Sequence, residues 1–185
     1  YDLAKRTRYA KGYGASALKV SDTLFLEMHK YFDPNFVAAL IDKMDATMPE
    51  VIAWHNWCWE EAEKTGIVYD GFGTPRILYS PKRELRQTAY SWPTQATASG
   101  IMNRSLVRIY HAKRAGLLRS DTRCICQVHD SLVFEIHEDH VESEARIIKA
   151  LMEEPVTIFG RRTVFPVEAK SGSNWSEMKE MRFAA

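Results

Sequence analysis

The residue of this sequence best suited to metal chemistry is Asp130, which follows His129 between two apolar, β-prone stretches. Cys124–Val128 and Leu132–Ile136 have the composition of strands, so we expect a tight hairpin with His129, Asp130 and Ser131 at its connection. A carboxylate at such a tip is held rigidly and can bind a hard cation such as Mg²⁺ together with substrate phosphates. An ordinary turn is the alternative, because Asp and Ser are favoured in turns.

A second chemical pattern is the four-residue spacing of Lys5, Tyr9 and Tyr13. On a helix this spacing places the three side chains on one face. One cation followed by two aromatic rings suits a nucleotide, with the ammonium on the phosphates and the rings against sugar or base. The alternative is a solvated basic helix that packs through its Tyr rings.

A third candidate is Gln95, which lies among small residues ahead of Arg104, Arg108 and His111. Small residues allow close backbone approach, and a Gln side chain can hydrogen-bond a base edge. Ordinary packing of a helix start explains the same pattern equally well.

The spacing of Cys124, Cys126 and His129 raises the question of a zinc site. Structural zinc sites usually contain pairs of cysteines two residues apart and need four ligands. Because the sequence offers no fourth ligand, it favours a pair of buried thiols.

The elements expected to position these residues are helices first and strands later. The patterns predict helices over 1–14, within 15–32, from Pro34, over 50–64, from about Pro93 to Gly116 and over 141–152. They predict a hairpin over 67–79, the strands around Asp130 and a last strand over 164–169. This order indicates an α+β fold with an antiparallel sheet.

Composition places the chain among globular proteins. Its 185 residues are 45% hydrophobic and 26% charged with a net charge of +1, which excludes a disordered or coiled-coil chain. The longest apolar run has six residues, so no membrane helix is expected. Three cysteines cannot form a disulfide framework and favour a reducing, intracellular compartment. Segment 76–123 is strongly basic, and segment 130–154 is strongly acidic. This distribution is typical of a surface that binds a polyanion beside a metal site, but two solvated faces would also explain it.

Five segments, in order, resemble family A DNA polymerases. Lys5, Tyr9, Tyr13 and Gly14 resemble motif B, the nucleotide-binding helix of the fingers, and Gln127–Glu135 resembles motif C. The other three are similar to the hairpin between these motifs, to the helix after that hairpin and to the C-terminal end of such enzymes; they are Gly66–Leu78, Pro93–Ala98 and Val167–Trp175.

The resemblance implies template-directed addition of deoxynucleotides to a primer, with two Mg²⁺ ions. It implies that Asp130 is one of two metal-binding aspartates and that Lys5 holds the incoming triphosphate. Tyr9 would lie by the sugar 3′ position and Tyr13 by the nascent base pair, while His129 would meet the primer terminus. The residues expected to contact DNA are Gln95, His129, Arg86, Arg104 and Arg108.

The sequence departs from the family in three ways. Tyr1 stands at a nucleotide-binding position where motif B usually has Arg, and Ser131 stands where the DNA polymerase I group has a Glu near the metals. Motif A, which supplies the second Asp, has no counterpart. The resemblance therefore implies the C-terminal part of a polymerase, with fingers over 1–80 and half of the palm over 81–185.

The remaining partners follow from the same resemblance. Primer–template DNA and a dNTP are expected, with thumb, motif A and any exonuclease domain in a longer chain or a separate subunit, in the cytoplasm of a bacterial or phage-infected cell or in an organelle. Two alternatives stay open. One is a non-catalytic DNA-binding or assembly subunit derived from a polymerase. The other is a single-subunit RNA polymerase, which shares the helix but differs in motif C.

Overall fold

The computed structural model describes residues 2–79 and 82–183, and it divides into two compact units, Tyr1–Gln95 and Ala96–Ala185. The assignment of fingers to 1–80 and half of a palm to 81–185 remains a prediction. Helices and small antiparallel sheets make up both units, as the α+β prediction requires. Among the described residues, no helix has the length and apolar character needed to cross a bilayer.

The first unit begins with three helices, α1 (Asp2–Gly12), α2 (Ala17–Met28) and α3 (Pro34–Ala46). Side-chain oxygens of Ser16 and Asp33 accept backbone N–H groups at the starts of α2 and α3, which satisfies donors that a helix start leaves open. Helix α3 begins at Pro34 as predicted, and its Val37 and Ile41 are buried against Val20 and Leu24 of α2. This cluster fixes α2 and α3 beside α1.

A second cluster in this unit surrounds the predicted hairpin. Helix α4 (Pro49–Thr65) ends at Gly66, and β1 (Ile67–Tyr69) pairs antiparallel with β2 (Pro75–Ile77). Val68 packs with Ala62 and with Ala89 of the next helix. The hairpin therefore joins α4 to the start of α5 through apolar contacts.

Helix α5 (Lys82–Arg114) corrects the sequence prediction of a loop followed by a new helix near Pro93, because Pro93 lies inside one continuous helix. Proline removes one helix hydrogen bond, so packing must compensate. Two stacked cation–ring pairs hold this part of the helix: Arg86 over Trp59 at 4.9 Å and Arg76 over Trp92 at 5.9 Å.

The second unit is built on two strands and one amphipathic helix. Strand β3 (Arg123–Val128) pairs antiparallel with β4 (Ser131–Glu135), with an irregularity in register between Cys124 and Cys126. Helix α6 (Val141–Met152) buries Ile148 against Ile109 of α5. The predicted hairpin around Asp130 is thus present, and its inner face packs on this cluster through Leu132 and Phe134.

The C-terminal region differs most from the sequence prediction, because residues 164–169 do not form a strand. The Val167 N–H donates to Glu153 at 2.7 Å and its carbonyl accepts from Lys149, so α6 side chains replace a neighbouring strand. The strands lie on either side of this segment. They are β5 (Val156–Ile158) paired with β6 (Arg161–Thr163), and β7 (Lys170–Ser171) paired with β8 (Lys179–Glu180).

Candidate functional site

Helix α1 presents Lys5, Tyr9 and Tyr13 along one side, as their spacing predicts, and all three are exposed. They line a cleft of about 470 Å³ that α2 closes on its other side. We call this cleft the α1–α2 groove. Its other lining residues are Asp2, Arg6, Ala10, Val20, Thr23, Leu24 and Glu27.

The α1–α2 groove is lined by two acidic side chains, Asp2 and Glu27, and by two basic ones, Lys5 and Arg6. Arg6 forms an ion pair with Glu27 of α2, so its charge is compensated within the protein. Among the described residues, the Lys5 ammonium has no hydrogen bond or ion pair. Lys5 is therefore the groove cation available to an anionic ligand, and two Tyr rings follow it at helical spacing. Tyr1, the remaining nucleotide-binding candidate, lies outside the described residues.

The C-terminal end of α1 rests on two stacked rings. His55 of α4 is 7% exposed, and its Nε2 lies 3.2 Å from the Gly12 carbonyl oxygen. The Tyr90 ring of α5 stacks on His55 with centroids 4.6 Å apart. Gly14 has φ of 80°, and a Cβ atom placed there would lie 2.8 Å from Tyr90 Cδ2. Only glycine fits this close approach without strain.

Burial lowers the pKa of His55 below its ordinary value, while the hydrogen bond to Gly12 opposes that shift. Lys11 lowers this pKa further, and Asp45 raises it. The neutral imidazole is therefore favoured near neutral pH. Since a carbonyl oxygen can only accept, Nε2 carries the proton in this contact.

In the second unit, Asp130 occupies the predicted position at the connection between β3 and β4. Val128 pairs with Ser131, which leaves His129 and Asp130 as a two-residue turn. Asp130 is exposed, and within residues 2–79 and 82–183 its carboxylate has no hydrogen bond or ion pair. The carboxylate is thus presented on a short, rigid connection.

The backbone at His129 has φ of 52°, an uncommon value for a residue with a side chain. Two hydrogen bonds support it: Gln127 Nε2 donates to the His129 carbonyl at 3.3 Å, and Ser131 Oγ donates to the Val128 carbonyl at 2.9 Å. Ser131 is therefore engaged within the hairpin. The β5–β6 turn has the same feature at Phe159, because a two-residue hairpin turn requires a positive φ at its first residue.

A complete metal site is absent from the described part of the chain, where no group of three or more His, Cys, Asp or Glu side chains could hold an ion. Asp130 fits Mg²⁺ as a single ligand, because its oxygens are hard donors and no described residue neutralises them. Further ligands must come from substrate phosphates or from other protein residues.

The candidate DNA contacts differ in their surroundings. Gln95 and Arg104 are exposed on α5, and Arg86 is exposed while stacked on Trp59. These side chains are accessible to a ligand, and their contact with DNA remains a prediction.

Arg108 has intramolecular partners at the end of α6. Its Nε lies 2.9 Å from a Glu154 carboxylate oxygen, and its guanidinium donates to the carbonyls of Leu151, Glu154 and Pro155 at 3.2–3.4 Å. These contacts satisfy carbonyls that a helix end leaves open. The contact of Arg108 with DNA remains a prediction, and it would compete with these internal bonds.

The cysteines near the hairpin are not the buried pair that the sequence favours. Cys124 is exposed and Cys126 is half-buried. Strand β3 pairs with β4 alone among the described strands, so much of β3 remains open to solvent. Although the residue as a whole is exposed, partial burial of its thiol raises the pKa of Cys124, and the nearby Cys126 raises it further.

Sequence reasoning missed the α2 side of the groove and the ring pair beneath α1. Thr23 and Glu27 belong to a helix whose packing angle no local pattern reveals, so they carried no signal. His55 lies among three tryptophans and reads as part of a helix core. Its contact with Gly12 joins residues 43 positions apart.

Comparison with known proteins gives one consistent result. The family model described as DNA polymerase family A matches residues 2–177. DNA polymerase I of Pseudomonas aeruginosa is 33% identical over 94% of this chain and 19% of its own length. DNA polymerase I of Thermus aquaticus is 28% identical over 96% of this chain and 21% of its own length.

The solved POL domain of Pol1 from M. smegmatis, in complex with DNA primer–template and dNTP, shows the fold. It is 22% identical and has a TM-score of 0.72, over 88% of this chain and 29% of its own. The chain spans about a fifth of the length of the curated relatives.

Proposed function

Because the chain belongs to DNA polymerase family A, we propose that it is the part of a DNA polymerase that binds the incoming nucleotide and supplies one metal-binding carboxylate. The reaction is template-directed nucleotidyl transfer from a dNTP to a primer 3′-OH. Fingers would span residues 1–80 and half of the palm residues 81–185.

The observation that carries this proposal is the setting of Asp130. An exposed carboxylate without a described partner stands on a two-residue turn whose first residue, His129, has an unusual φ. The two-residue turn fixes the place of this carboxylate and leaves its oxygens without a described partner, and both properties suit a metal ligand. The strand–turn–strand geometry supports a ligand role over an ordinary turn.

The α1–α2 groove supports the assignment of nucleotide contacts. The Lys5 ammonium would bind the triphosphate, as a cation without a described ion pair in a cleft of about 470 Å³. Tyr9 would lie against the sugar and Tyr13 against the base, since rings stack on flat apolar faces. The role of Tyr1 as a further contact stays a prediction.

Charge neutralisation and positioning supply most of the rate in phosphoryl transfer. Mg²⁺ held partly by Asp130 would compensate phosphate charge and activate the primer hydroxyl. Lys5 holds the phosphates, the two tyrosines orient the sugar and base, and His129 contacts the primer terminus. Gln95, Arg86 and Arg104 would contact the primer–template.

The rest of the polymerase is a required partner in this proposal. A second aspartate must complete the metal site, and the described residues offer no cluster that could do so. A polypeptide with motif A and the thumb, in the same chain or another subunit, would provide it.

The test is single-nucleotide incorporation by the full-length protein with Mg²⁺ and a primer–template. Asp130→Asn should reduce the incorporation rate by about a thousandfold or more, because one metal ligand is lost. Asp139→Asn is the matched control, since Asp139 is an exposed carboxylate of the same unit, and it should retain the wild-type rate. Equal rates for Asp130→Asn and wild type would refute the proposal.

A non-catalytic DNA-binding or assembly subunit is the alternative. Ser131 supports it, because this serine stands where the DNA polymerase I group has a Glu and its hydroxyl is bonded within the hairpin. The two functions differ in nucleotide affinity. Lys5→Ala should weaken dNTP binding about tenfold or more if Lys5 binds the triphosphate, while the exposed Lys43→Ala should not. Unchanged dNTP affinity in Lys5→Ala, with DNA affinity retained, would favour the alternative.

A further inference from the structure

Helix α1 makes an unusual contact at its C-terminal end. The Gly12 carbonyl accepts a hydrogen bond from His55 Nε2 at 3.2 Å, although His55 belongs to α4. Such a carbonyl at a helix end has no partner within its own helix and commonly faces water or a cap. Here a side chain that is 7% exposed provides that partner.

Tyr90 completes this support from α5. Its ring stacks on His55 with an interplanar angle of 24°, and its Cδ2 and Cε2 atoms face the Gly14 backbone. The chain leaving α1 therefore lies directly on the Tyr90 ring. We call His55 and Tyr90 the ring pair. It contacts the residues on both sides of Tyr13.

The other polar contacts between α1 and neighbouring helices are weaker. Lys11 pairs with Asp45 of α3 at 3.5 Å, and Arg6 pairs with Glu27, with all four side chains about one-third to one-half exposed. Ion pairs at such exposure contribute little, whereas a hydrogen bond inside a protein is electrostatically stronger. Among these described polar contacts, the buried one to His55 holds the helix end most firmly.

The position of this anchor has a geometric consequence for Lys5. Seven residues separate Lys5 from Gly12, which is about 10 Å along a helix. A tilt of about 10° at the anchored end would move Lys5 by about 2 Å. Displacements of about 1 Å can change rates a hundredfold when a reacting group must be aligned.

We propose that the ring pair of His55 and Tyr90 is a positioning device that sets the orientation of the Lys5–Tyr9–Tyr13 face and thereby the affinity for a nucleoside triphosphate. This inference rests on the proposed function. The ring pair does not touch the ligand. His55 acts by donating to Gly12, and Tyr90 acts by stacking on His55 and by supporting Gly14.

The test compares four variants of the full-length protein by the apparent Kd for dNTP in single-turnover incorporation, with the Kd for primer–template measured in parallel. His55→Phe keeps a ring but loses the donor, and should raise the dNTP Kd about threefold to tenfold. His55→Gln keeps an N–H donor and should recover most of the affinity. Tyr90→Leu, the second disruptive variant, should behave like His55→Phe.

Ser21→Ala is the matched control for loss of stability. Ser21 is also buried and also donates from its side chain to a backbone carbonyl, that of Phe32, but it lies outside α1. It should lower the melting temperature without changing dNTP affinity. Primer–template affinity should stay within twofold of wild type in all four variants, because the ring pair acts on the α1 face alone.

Hydrogen exchange provides a readout that is independent of nucleotide. Amides of residues 8–14 should exchange faster in His55→Phe, and those of α3 should not. Wild-type dNTP affinity in both His55→Phe and Tyr90→Leu, or an equal loss of dNTP and DNA affinity, would overturn the inference. If the wild-type protein itself binds no dNTP while α1 loosens in His55→Phe, the proposed function fails and the anchoring of α1 stands.

Discussion

On α1, the side chains that are proposed to contact the ligand lie outside the hydrophobic core. Their effect on function can therefore be measured apart from their effect on stability. Tyr9 is 60% exposed, and the core contact of the helix is made on its other side, by residues such as Thr7 and Leu3. Substitutions at Lys5, Tyr9 and Tyr13 should therefore change nucleotide use with little effect on stability. Surface changes away from packed features usually alter stability by less than about 0.5 kcal/mol.

Tyr9→Phe tests the proposed contact with the sugar. Loss of the hydroxyl should reduce the use of dideoxynucleotides relative to deoxynucleotides by about tenfold or more. The reason is that the Tyr9 hydroxyl would stand in for the 3′-OH that a dideoxynucleotide lacks, and without it the partner of that hydroxyl is left unpaired. The measurement is the ratio of kcat/KM for the two nucleotides. Tyr31→Phe is the control, because Tyr31 is similarly exposed outside the groove. An unchanged ratio in Tyr9→Phe would place this side chain away from the sugar.

Two arginines of α5 should respond differently to substitution. Arg108→Met should lower the free energy of unfolding by about 1 kcal/mol or more, because the carbonyls at the end of α6 lose their donor. Arg104→Met should weaken DNA binding, and the slope of the logarithm of DNA affinity against the logarithm of salt concentration should fall by about one. Urea unfolding and DNA titrations at several salt concentrations measure both. A larger DNA effect for Arg108 than for Arg104 would contradict this assignment.

At the level of secondary structure, the position of the C-terminal end of α1 depends on the short segment that connects it to α2. Gly14 combines a left-handed backbone with contact to Tyr90, so the route from α1 to α2 admits no side chain there. Gly12 is different, since a Cβ atom at that position would meet nothing within 4 Å. These two glycines form a natural comparison.

Gly14→Ala should lower the free energy of unfolding by about 2 kcal/mol or more, through the left-handed backbone and the contact with Tyr90. Gly12→Ala should leave it unchanged or raise it by up to about 1 kcal/mol, because alanine restricts the unfolded chain. Chemical denaturation of both variants provides the comparison. Equal destabilisation by the two changes would show that the close approach of Tyr90 to Gly14 does not affect the free energy of unfolding.

The sequence predicted those elements whose local signals agree. The β3–β4 hairpin combines two β-prone stretches with turn residues, and α3 combines a capping Asp33 and Pro34 with a regular apolar stripe. The β5–β6 hairpin was missed because its turn is Phe159–Gly160, where Phe159 adopts φ of 47° without the usual Asn or Asp.

The sequence also failed to predict that α5 is one continuous helix. Pro93 reads as a helix start, and the residues before it are polar, so local signals favoured a boundary there. Packing of Ala89 with Val68 and stacking of Arg86 on Trp59 come from residues far away in sequence. Such contacts stabilise the helix more than local propensity opposes it, but no pattern in the neighbouring sequence reveals them.

On the scale of the whole molecule, the order of five motifs predicted the family and the α+β fold, because order along a chain survives large changes in sequence. The same reasoning predicted a second metal-binding aspartate outside this sequence. The chain covers about a fifth of the length of its curated relatives, and the position of that aspartate remains a prediction.

The isolated 185-residue chain should therefore fail to extend a primer, even with saturating Mg²⁺ and dNTP. Addition of a polypeptide that carries motif A should restore extension, because it would complete the metal site. A gel-based primer extension assay measures this directly. Robust extension by the isolated chain would show that its own residues complete the site.

The most direct test of template-directed synthesis is nucleotide choice by the full-length protein. Four primer–templates that differ only in the templating base are each offered all four dNTPs with Mg²⁺, and the incorporated base is identified. We predict that the complementary nucleotide is added in each case and that Asp130→Asn abolishes all four additions. Extension that does not depend on the templating base, or no extension by the full-length protein, would contradict template-directed synthesis.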